Sequence, residues 1–416
     1  MDTVLPARTV GLSLSAALAM YVLIALSYVV NSMDRSVFSN LVTAVNAEFH
    51  LSLAQGGFLT TVFAIGFGLT GIFAGFLLDR WTRKSTMVVG MVIYSVFTLV
   101  IPLAHGFWDM GTFRLITGIG EAMQQTAIFT MAGVFFAQHR NLAIGGMNVA
   151  YGLGSFVGPL LGTQLYLATG ASWRPPLYIF GGLGLAFAVV VMFTLSRKFS
   201  EYGKEPGRTG AGTAAPQVSA GPWLNRNLVL LSIANVSVGL LNYGYLGLYP
   251  TFLKSVLHFS VGTAAVAQSM YGIGAFAGIV AGYLADRFGE RPVIYVAVAG
   301  SMVSGLLMFI AATVPWEQDL LSFLFGTFAS GFLFVNIYAM TQRSVSPDHI
   351  GKASGIASSA HYIGAGFAGA LFGGIVQAWS WGGATLVQMV LLPCVAIVSV
   401  ALVRMNAPAD RRSLTA

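Results

Sequence analysis

Long apolar runs, separated by short polar breaks, dominate the chain. A run of about 20 mostly apolar residues can cross the hydrocarbon core of a bilayer as a helix. The pattern contains twelve such runs and therefore predicts twelve transmembrane helices. Their predicted limits are 13–40, 52–78, 84–103, 109–137, 141–168, 175–196, 226–256, 261–285, 291–313, 319–344, 351–378 and 383–404.

One long polar stretch, residues 197–224, divides the runs into six and six. Gly, Pro, Ser and charged residues dominate this stretch, a composition typical of a linker. We therefore predict an N-terminal six-helix half at 1–196, a linker at 197–224 and a C-terminal six-helix half at 225–416. The chain start lacks a signal-peptide pattern, so the first run is expected to stay in the protein.

The composition agrees with an all-α integral membrane protein. Hydrophobic residues make up 56% of the chain and charged residues 8%, against about 25% charged in soluble domains. So few charges exclude a cytosolic enzyme, a nucleic-acid-binding module and a disordered scaffold. A single cysteine, Cys394, excludes an internal disulfide and a cysteine-ligated zinc. The 50 glycines suit closely packed membrane helices.

The positions of Lys and Arg predict the orientation. If both termini are cytoplasmic, 17 of the 21 Lys and Arg residues fall on the cytoplasmic side, and the external loops keep only Arg174 and Lys254. Arg35 and Arg114 lie within predicted helices. This bias follows the positive-inside rule and explains the net charge of +7 without a nucleic-acid partner. We predict a multi-pass protein of the inner (plasma) membrane.

The two halves share sequence. GFLLDRWTRK (Gly75–Lys84) recurs 207 positions later as GYLADRFGER (Gly282–Arg291). Near the fifth and eleventh runs, a second similarity has an offset of 210. It matches Ala143, Gly145, Ala150 and Gly154 with Ala353, Gly355, Ala360 and Gly364. Pseudo-repeated halves are typical of transporters that rock about a central site.

The repeated loop resembles the signature of the major facilitator superfamily. RLITGIGEA (Arg114–Ala122) is similar to that superfamily's R-x-x-x-G-x-G-x-A motif. NSMDR (Asn31–Arg35) and YPTFL (Tyr249–Leu253) resemble motifs of its anion:cation symporter branch, which includes sialin, the vesicular glutamate transporters and bacterial sugar-acid carriers. The resemblance implies a twelve-helix fold. It also implies that Asp and Glu carry protons, and that Arg either binds substrate or couples substrate movement to proton movement.

Four ionisable residues lie within predicted helices: Asp34, Arg35, Arg114 and Glu121. A charge at the bilayer centre costs ~2.5–3.5 kcal/mol, so such residues usually face a wet cavity or a partner. Arg114 and Glu121 are seven residues apart and share a helix face, with Gln125 one turn further. We predict Asp34 and Glu121 as proton-coupling residues and Arg35, Arg114 and Gln125 as substrate-binding residues. The alternative is a structural cluster in which the charges neutralise each other.

The second half offers polar rather than charged candidates. Asn242, Tyr245 and Tyr249 lie on one face of the seventh run and are predicted to contact substrate. Such residues also commonly link helices, which is the alternative for each of them. His361 is expected to be packed or hydrogen-bonded rather than a proton relay.

For the repeated loops, the resemblance implies a conformational latch of Asp–Arg and helix-dipole contacts. Ordinary solvated loop charge is the alternative. The residues of the predicted latch are Asp79, Arg80, Arg83, Asp286, Arg287 and Arg291.

Taken together, these features predict a secondary transporter, expected to be a monomer, that carries a small organic anion, a carboxylate or sugar acid, with protons. No cofactor and no metal site are predicted. A proton-antiporting exporter of drugs or metabolites is the main alternative. A membrane-embedded enzyme would need a nucleophile–base pair or a metal cluster, and neither pattern is found. A sensor would usually carry a soluble domain, and no such segment is found.

Overall fold

This computed structural model describes residues 12–136, 140–202, 224–345 and 350–404. Within those ranges there is no strand. Helical segments that continue one another across a short irregular turn are counted together as one rod, and the structure contains twelve such rods, as the apolar runs predict. Their bounds are α1 Leu14–Phe49, α2 Leu53–Thr61 and Phe63–Arg80, α3 Arg83–Val100, α4 Phe107–Phe135, α5 Arg140–Ala168, α6 Arg174–Thr194, α7 Arg226–Ser255, α8 Val261–Gly274 and Gly278–Phe288, α9 Glu290–Ile310, α10 Pro315–Phe325 and Val335–Arg343, α11 Ile350–Ala378, and α12 Trp381–Thr385 and Leu392–Leu402.

Ten of these rods are both long and apolar enough to cross a membrane, counting only the described residues. The other two, α4 and α5, have 29 residues each and are also long enough. Successive rods alternate in direction. We call the end of the bundle where α1 begins and α12 ends the terminal face, and the opposite end the distal face.

The first rod is longer than its apolar run, because it continues past position 40 to Phe49. The added turns carry polar residues, and α6 provides partners for one of them. The Glu48 carboxylate accepts hydrogen bonds from the Trp173 indole at 2.7 Å and from Arg174 Nη1 at 3.0 Å. The contacts of Glu48 with Trp173 and Arg174 therefore stabilise the end of α1, which extends beyond the apolar segment.

Four rods are irregular in ways that the hydrophobic pattern does not predict. The second rod is interrupted at Val62, and the eighth contains a 3₁₀ turn at Ala275–Ala277. The tenth and twelfth rods contain π-helical turns at Gly326–Phe334 and Leu386–Leu391. Such turns keep the rod apolar while shifting its hydrogen-bond register, so hydropathy alone does not reveal them.

Glycines allow the rods of the N-terminal half to pack backbone against backbone. A Cβ on Gly118 would clash with the carbonyl of Phe63 in α2. A Cβ on Gly120 would clash with the carbonyl of Gly90 in α3. The two glycines of the GIG segment thus hold α4 between α2 and α3, the small-residue contact common among membrane helices.

The two halves repeat in structure as well as in sequence. Gly154 on α5 packs against the Val29 carbonyl of α1, and Gly364 on α11 packs in the same way against the Val236 carbonyl of α7. The offsets are 210 and 207 residues. Each pair joins the first and fifth rods of its half, so the halves share one internal arrangement.

The halves meet along two pairs of rods, α2 with α11 and α5 with α8. At the distal end of the first pair, Gly57 and Gly369 leave no room for a Cβ on either residue. Toward the terminal face, a Cβ on Gly71 would lie 3.7 Å from the carbonyl oxygen of Gly355. The backbones of this pair are therefore closest on the distal side.

Three hydrogen bonds between the halves lie on the same distal side. Thr61 donates to the Gly366 carbonyl at 2.9 Å, and Gln268 donates to the Ser39 hydroxyl at 2.7 Å. The Lys254 ammonium donates to the backbone carbonyl of Asn40 at 2.8 Å. Together with the glycine contact, they close the bundle toward the distal face.

We expect a side chain at position 57 to separate α2 from α11 and to open this distal contact. The variant Gly57→Val should expose a cysteine introduced at Asn40, which is only 4% exposed, to a water-soluble maleimide in a Cys394→Ser background. Alkylation should be several-fold faster than in the parent. Gly182→Val is the matched control, because a Cβ there meets open space. An unchanged rate in the Gly57 variant would contradict the role given to this contact.

Candidate functional site

A small cavity lies between the halves near the middle of the bundle. Its volume is about 20 Å³, room for about one water molecule. A larger solute therefore fits only after the halves separate. Seven of the ten residues that line it carry a hydroxyl group. The lining consists of Ser32, Arg35, Ser36, Ser39, Thr60, Phe63, Tyr151, Ser155, Tyr243 and Leu246.

Arg35 is the cation of this lining, and a carboxylate, an amide and an aromatic ring hold its guanidinium in place. Its Nε donates to Glu121 Oε2 of α4 at 3.0 Å, and its Nη2 donates to Asn31 Oδ1 at 2.8 Å. The guanidinium also lies 5.1 Å from the ring centre of Phe67. Its Nη1 is buried without a hydrogen-bond partner, so one donor remains available for a ligand.

Glu121 is fully buried, and Arg35 is its ion-pair partner. The second carboxylate oxygen, Oε1, has no hydrogen-bond partner. Asn31 continues the network by donating to Gln124 at 2.9 Å. The arrangement is a buried salt bridge of α1 with α4, supported by the amides of Asn31 and Gln124, and its arginine lines the cavity.

Asp34 lies elsewhere, on the side of α1 that faces α3. Its Oδ2 accepts a hydrogen bond from the Thr98 hydroxyl at 2.8 Å, and its Oδ1 has no partner. The hydroxyls of Tyr94 and Ser95 on α3 are also buried and unpartnered. Asp34 therefore belongs to a polar cluster inside the N-terminal half and is not part of the cavity lining.

Arg114 is buried, and it contacts α2 rather than the cavity. Its Nε and Nη2 donate to the backbone carbonyls of Leu59 and Thr60 at 3.0 and 3.1 Å. These carbonyls precede the break at Val62. The guanidinium also lies 4.2 Å from the ring centre of Phe38. In this conformer it holds the irregular turn of α2, and its expected contact with substrate stays a prediction.

The polar face predicted on α7 points into the C-terminal half. Tyr245 shares a 2.7 Å hydrogen bond with Ser322 of α10, and Tyr249 donates to Gln318 Oε1 at 3.0 Å. The two rings stack at 4.6 Å. Asn242 is buried nearby with its Oδ1 unpartnered. The predicted contacts of these residues with substrate stay untested, and none of them lines the cavity.

Gln125 accepts a hydrogen bond from the Tyr28 hydroxyl at 2.9 Å and is half-buried. His361 packs edge-to-face against Phe334 and Tyr362, the packed environment expected of it. Among the described residues, no group of three His, Cys, Asp or Glu side chains is placed to hold a metal ion.

The sequence analysis missed most residues of the cavity wall. On α1, Ser32, Ser36 and Ser39 follow one another at spacings of four and three residues, so they share one face. This serine face beside Arg35 was a detectable signal. Tyr243 was missed for a different reason: the polar pattern on α7 favoured Tyr245 and Tyr249, which face the other way.

The predicted latch lies only partly within the described residues, because the side chains of Asp79, Arg80 and Asp286 fall outside them. Arg83 donates to the carbonyl of Tyr202 at 2.8 Å, just beyond the short helix Arg197–Ser200. Arg291 donates to the carbonyl of Val403. These two bases bond the carbonyls that follow the last rod of their own half.

The remaining predicted latch base, Arg287, lies 5.5 Å from the ring centre of Phe288. Glu201 extends the contacts of the first loop by accepting hydrogen bonds from the backbone amides of Arg83 and Lys84 at the start of α3. A carboxylate at a helix start is favourable. The described contacts fasten each loop within its own half, and a latch between conformers stays a prediction.

Comparisons with known proteins agree with this architecture. The sequence profile described as Major Facilitator Superfamily matches residues 24–368 and 231–416. A hexuronate transporter of Bacillus subtilis is 25% identical over 83% of this chain and 85% of its own. A cis,cis-muconate transport protein of Acinetobacter baylyi is 26% identical over 86% of this chain and 87% of its own.

A solved structure of a bacterial homolog of the human lysosomal transporter Spinster, inward-facing and unoccupied, has a similar fold. Its TM-score is 0.73, with 19% sequence identity, and the match covers 95% of this chain and all of the other. The likeness supports the arrangement of the twelve rods.

We expect Arg114→Lys to destabilise the protein, because one ammonium cannot bond both carbonyls while covering the Phe38 ring. The loss of a charged hydrogen bond to buried carbonyls corresponds to about 1–3 kcal/mol. It should appear as a lower unfolding temperature of the detergent-solubilised protein. Arg404→Lys is the control, because Arg404 is exposed. An unchanged unfolding temperature would show that the guanidinium is not needed at the break of α2.

Proposed function

Because the chain belongs to the major facilitator superfamily, a family of membrane transporters and not of enzymes, we propose that it carries a small organic anion together with protons. The anion is a carboxylate or a sugar acid. Transport proceeds by alternating access, with the two halves rocking about the central cavity. The terminal face is proposed to be cytoplasmic, in a plasma (inner) membrane, with the protein acting as a monomer.

The Arg35–Glu121 ion pair is the observation that carries this proposal. Arg35 lines the cavity, bonds the buried Glu121 at 3.0 Å and keeps one guanidinium nitrogen unpartnered. Guanidinium binds carboxylates in a planar fork and does not lose its charge. A substrate carboxylate entering the cavity can therefore take the place of Glu121 on Arg35.

The exchange of partners supplies the coupling to protons. A buried ion that loses its partner is strongly disfavoured, so Glu121 must bind a proton when the substrate takes Arg35. One proton then accompanies one carboxylate charge, and the charge of the site is conserved. When the substrate leaves, Glu121 releases the proton and pairs with Arg35 again.

Asp34 is proposed as a second proton site because its carboxylate is buried with one partner, Thr98, and one unpartnered oxygen. It lies on α1 next to Arg35 but faces α3. A proton on Asp34 would thus act through the position of α1 and not through contact with substrate. Protonation there would leave the cavity free for the substrate.

The relatives support an anionic substrate. One is named for hexuronate and another for cis,cis-muconate, and both of these molecules carry carboxylates. The hydroxyl-rich lining of the cavity suits a ligand with several polar groups. An exporter that exchanges protons for its substrate could use the same ion pair, and the direction of coupled flux separates the two functions.

We expect Arg35→Gln to weaken binding of a hexuronate such as glucuronate at least tenfold, about 1.4 kcal/mol. Glucuronamide, which lacks the carboxylate charge, should bind weakly to the parent protein. Binding is measured by equilibrium dialysis with labelled ligand on protein that elutes as a single folded species. Lys198→Gln removes a cation from the terminal face and should change nothing. Equal binding of the acid and the amide would contradict an anion site.

Glu121→Gln should abolish gradient-driven accumulation while leaving substrate exchange partly active. The amide keeps an acceptor for Arg35 but carries no proton through the cycle, whereas exchange needs no net proton movement. Uphill uptake and counterflow are measured in the same proteoliposomes under an imposed pH gradient. Asp109→Asn, on the distal surface, is the control. Full accumulation by Glu121→Gln would remove Glu121 from the coupling mechanism.

A further inference from the structure

A group of polar side chains lies between the halves on the distal side of the cavity. The group consists of Ser39 and Asn40 of α1, Lys254 of α7 and Gln268 of α8. The Lys254 ammonium bonds the Asn40 carbonyl at 2.8 Å, and Gln268 bonds the Ser39 hydroxyl at 2.7 Å. Both bonds cross from one half to the other, so both must break when the halves part on this side.

Several polar atoms of this region have no partner in the closed state. Both amide atoms of the Asn40 side chain, which is 4% exposed, are buried without a hydrogen bond. The same holds for Gln268 Oε1 and for the hydroxyl of Thr251 on α7. A buried polar group without a partner is destabilising, so such groups call for an explanation. They are placed to gain partners when the distal side opens.

Lys254 also stands out among the charges of the distal face. The distal ends of the rods carry four carboxylates, Glu48, Asp109, Glu317 and Asp319, and two cations, Arg174 and Lys254, a net charge of −2. Arg174 is paired with Glu48. For Lys254, no ion pair with a carboxylate occurs within the described ranges. Unlike Arg174, Lys254 is thus a distal cation that no carboxylate neutralises within the described ranges.

We propose that Lys254, with the amides of Asn40 and Gln268, forms a carboxylate-binding site that exists only when the distal side is open. The inference rests on the proposed transport of an organic anion and adds a second site to it. In the open state the ammonium binds the substrate carboxylate, and the amides add donors. In the closed state the ammonium bonds the Asn40 carbonyl instead.

The exchange at Lys254 links binding to closure. The cavity beside Ser39 has room for about one water molecule in the closed state, so a carboxylate bound to the ammonium must move on before Lys254 reaches its closed position on Asn40. Asn40 and Arg35 are five residues apart on α1, about 8 Å along the helix axis. The carboxylate thus passes between two cations over a distance comparable to the length of a six-carbon acid.

The first test measures transport from each face separately. Proteoliposomes with the distal face outward or inward take up labelled glucuronate through the parent, Lys254→Gln and Lys254→Arg. Lys254→Gln keeps a donor for Asn40 but lacks the charge. It should raise KM about tenfold with unchanged kcat for glucuronate supplied at the distal face. For glucuronate supplied at the terminal face, KM should stay unchanged and kcat should fall about tenfold, because the ratio of kcat/KM in the two directions is fixed by the driving force. Lys254→Arg should recover most of the affinity.

Arg174→Gln is the matched control for the charge of this face, because it removes a cation that Glu48 already neutralises. Its KM should equal that of the parent. An equal rise of KM at both faces in Lys254→Gln, or no rise at either, would contradict a carboxylate-binding site at Lys254.

A second test needs no transport. In the Gly57→Val variant, which is expected to open the distal side, acylation of Lys254 by a water-soluble N-hydroxysuccinimide ester is followed by mass spectrometry. Glucuronate should slow the acylation, and glucuronamide should not. Protection by neither compound would overturn the site even if uptake is seen. If glucuronate protects Lys254 but the protein without the Gly57→Val substitution takes up no carboxylate, the transport proposal would be overturned and the binding site would stand.

Discussion

A charge inside the hydrocarbon core must have a partner, and the N-terminal half is organised around this requirement. Its four buried charged residues find partners in three different ways. Arg35 and Glu121 neutralise each other across α1 and α4. Arg114 donates hydrogen bonds to two backbone carbonyls of α2, and Asp34 accepts a hydrogen bond from the Thr98 hydroxyl of α3. The first four rods are thus tied together by the groups that would otherwise be most costly to bury.

Glycine provides the complementary constraint, because polar partners meet only where backbones come close. Gly118 and Gly120 hold α4 between α2 and α3, which brings Glu121 within reach of α1. Between the halves, Gly57 and Gly369 make the same kind of contact on the distal side of α2 and α11, and Gly152 and Gly272 make it between α5 and α8. Of the two pairs of helices that join the halves, α2 and α11 are packed more loosely toward the terminal face.

The sequence predicted the architecture well, since hydropathy, charge bias and the repeated loop depend on local composition. It predicted the partners of the buried charges less well. Spacing along α4 placed Arg114 and Glu121 on one face, but their partners lie on other rods. Which rod faces which depends on glycine contacts that no local pattern expresses. Tyr243 was overlooked for the same reason, because the rotation of α7 about its axis is fixed by contacts of the Tyr245 ring with Tyr271 of α8 and Phe325 of α10.

The cavity wall is divided unequally between the halves. The N-terminal half supplies eight of the ten lining residues, including the Arg35 guanidinium, while α7 supplies an aromatic ring and an aliphatic side chain, Tyr243 and Leu246. Substitutions on α7 can therefore reshape the wall without touching the ion pair. In the mechanism proposed above, such substitutions change which molecule fits the cavity and leave the Arg35–Glu121 pair unaltered. The proposed mechanism therefore allows related proteins to diverge in substrate while they keep the same proton-coupling residues.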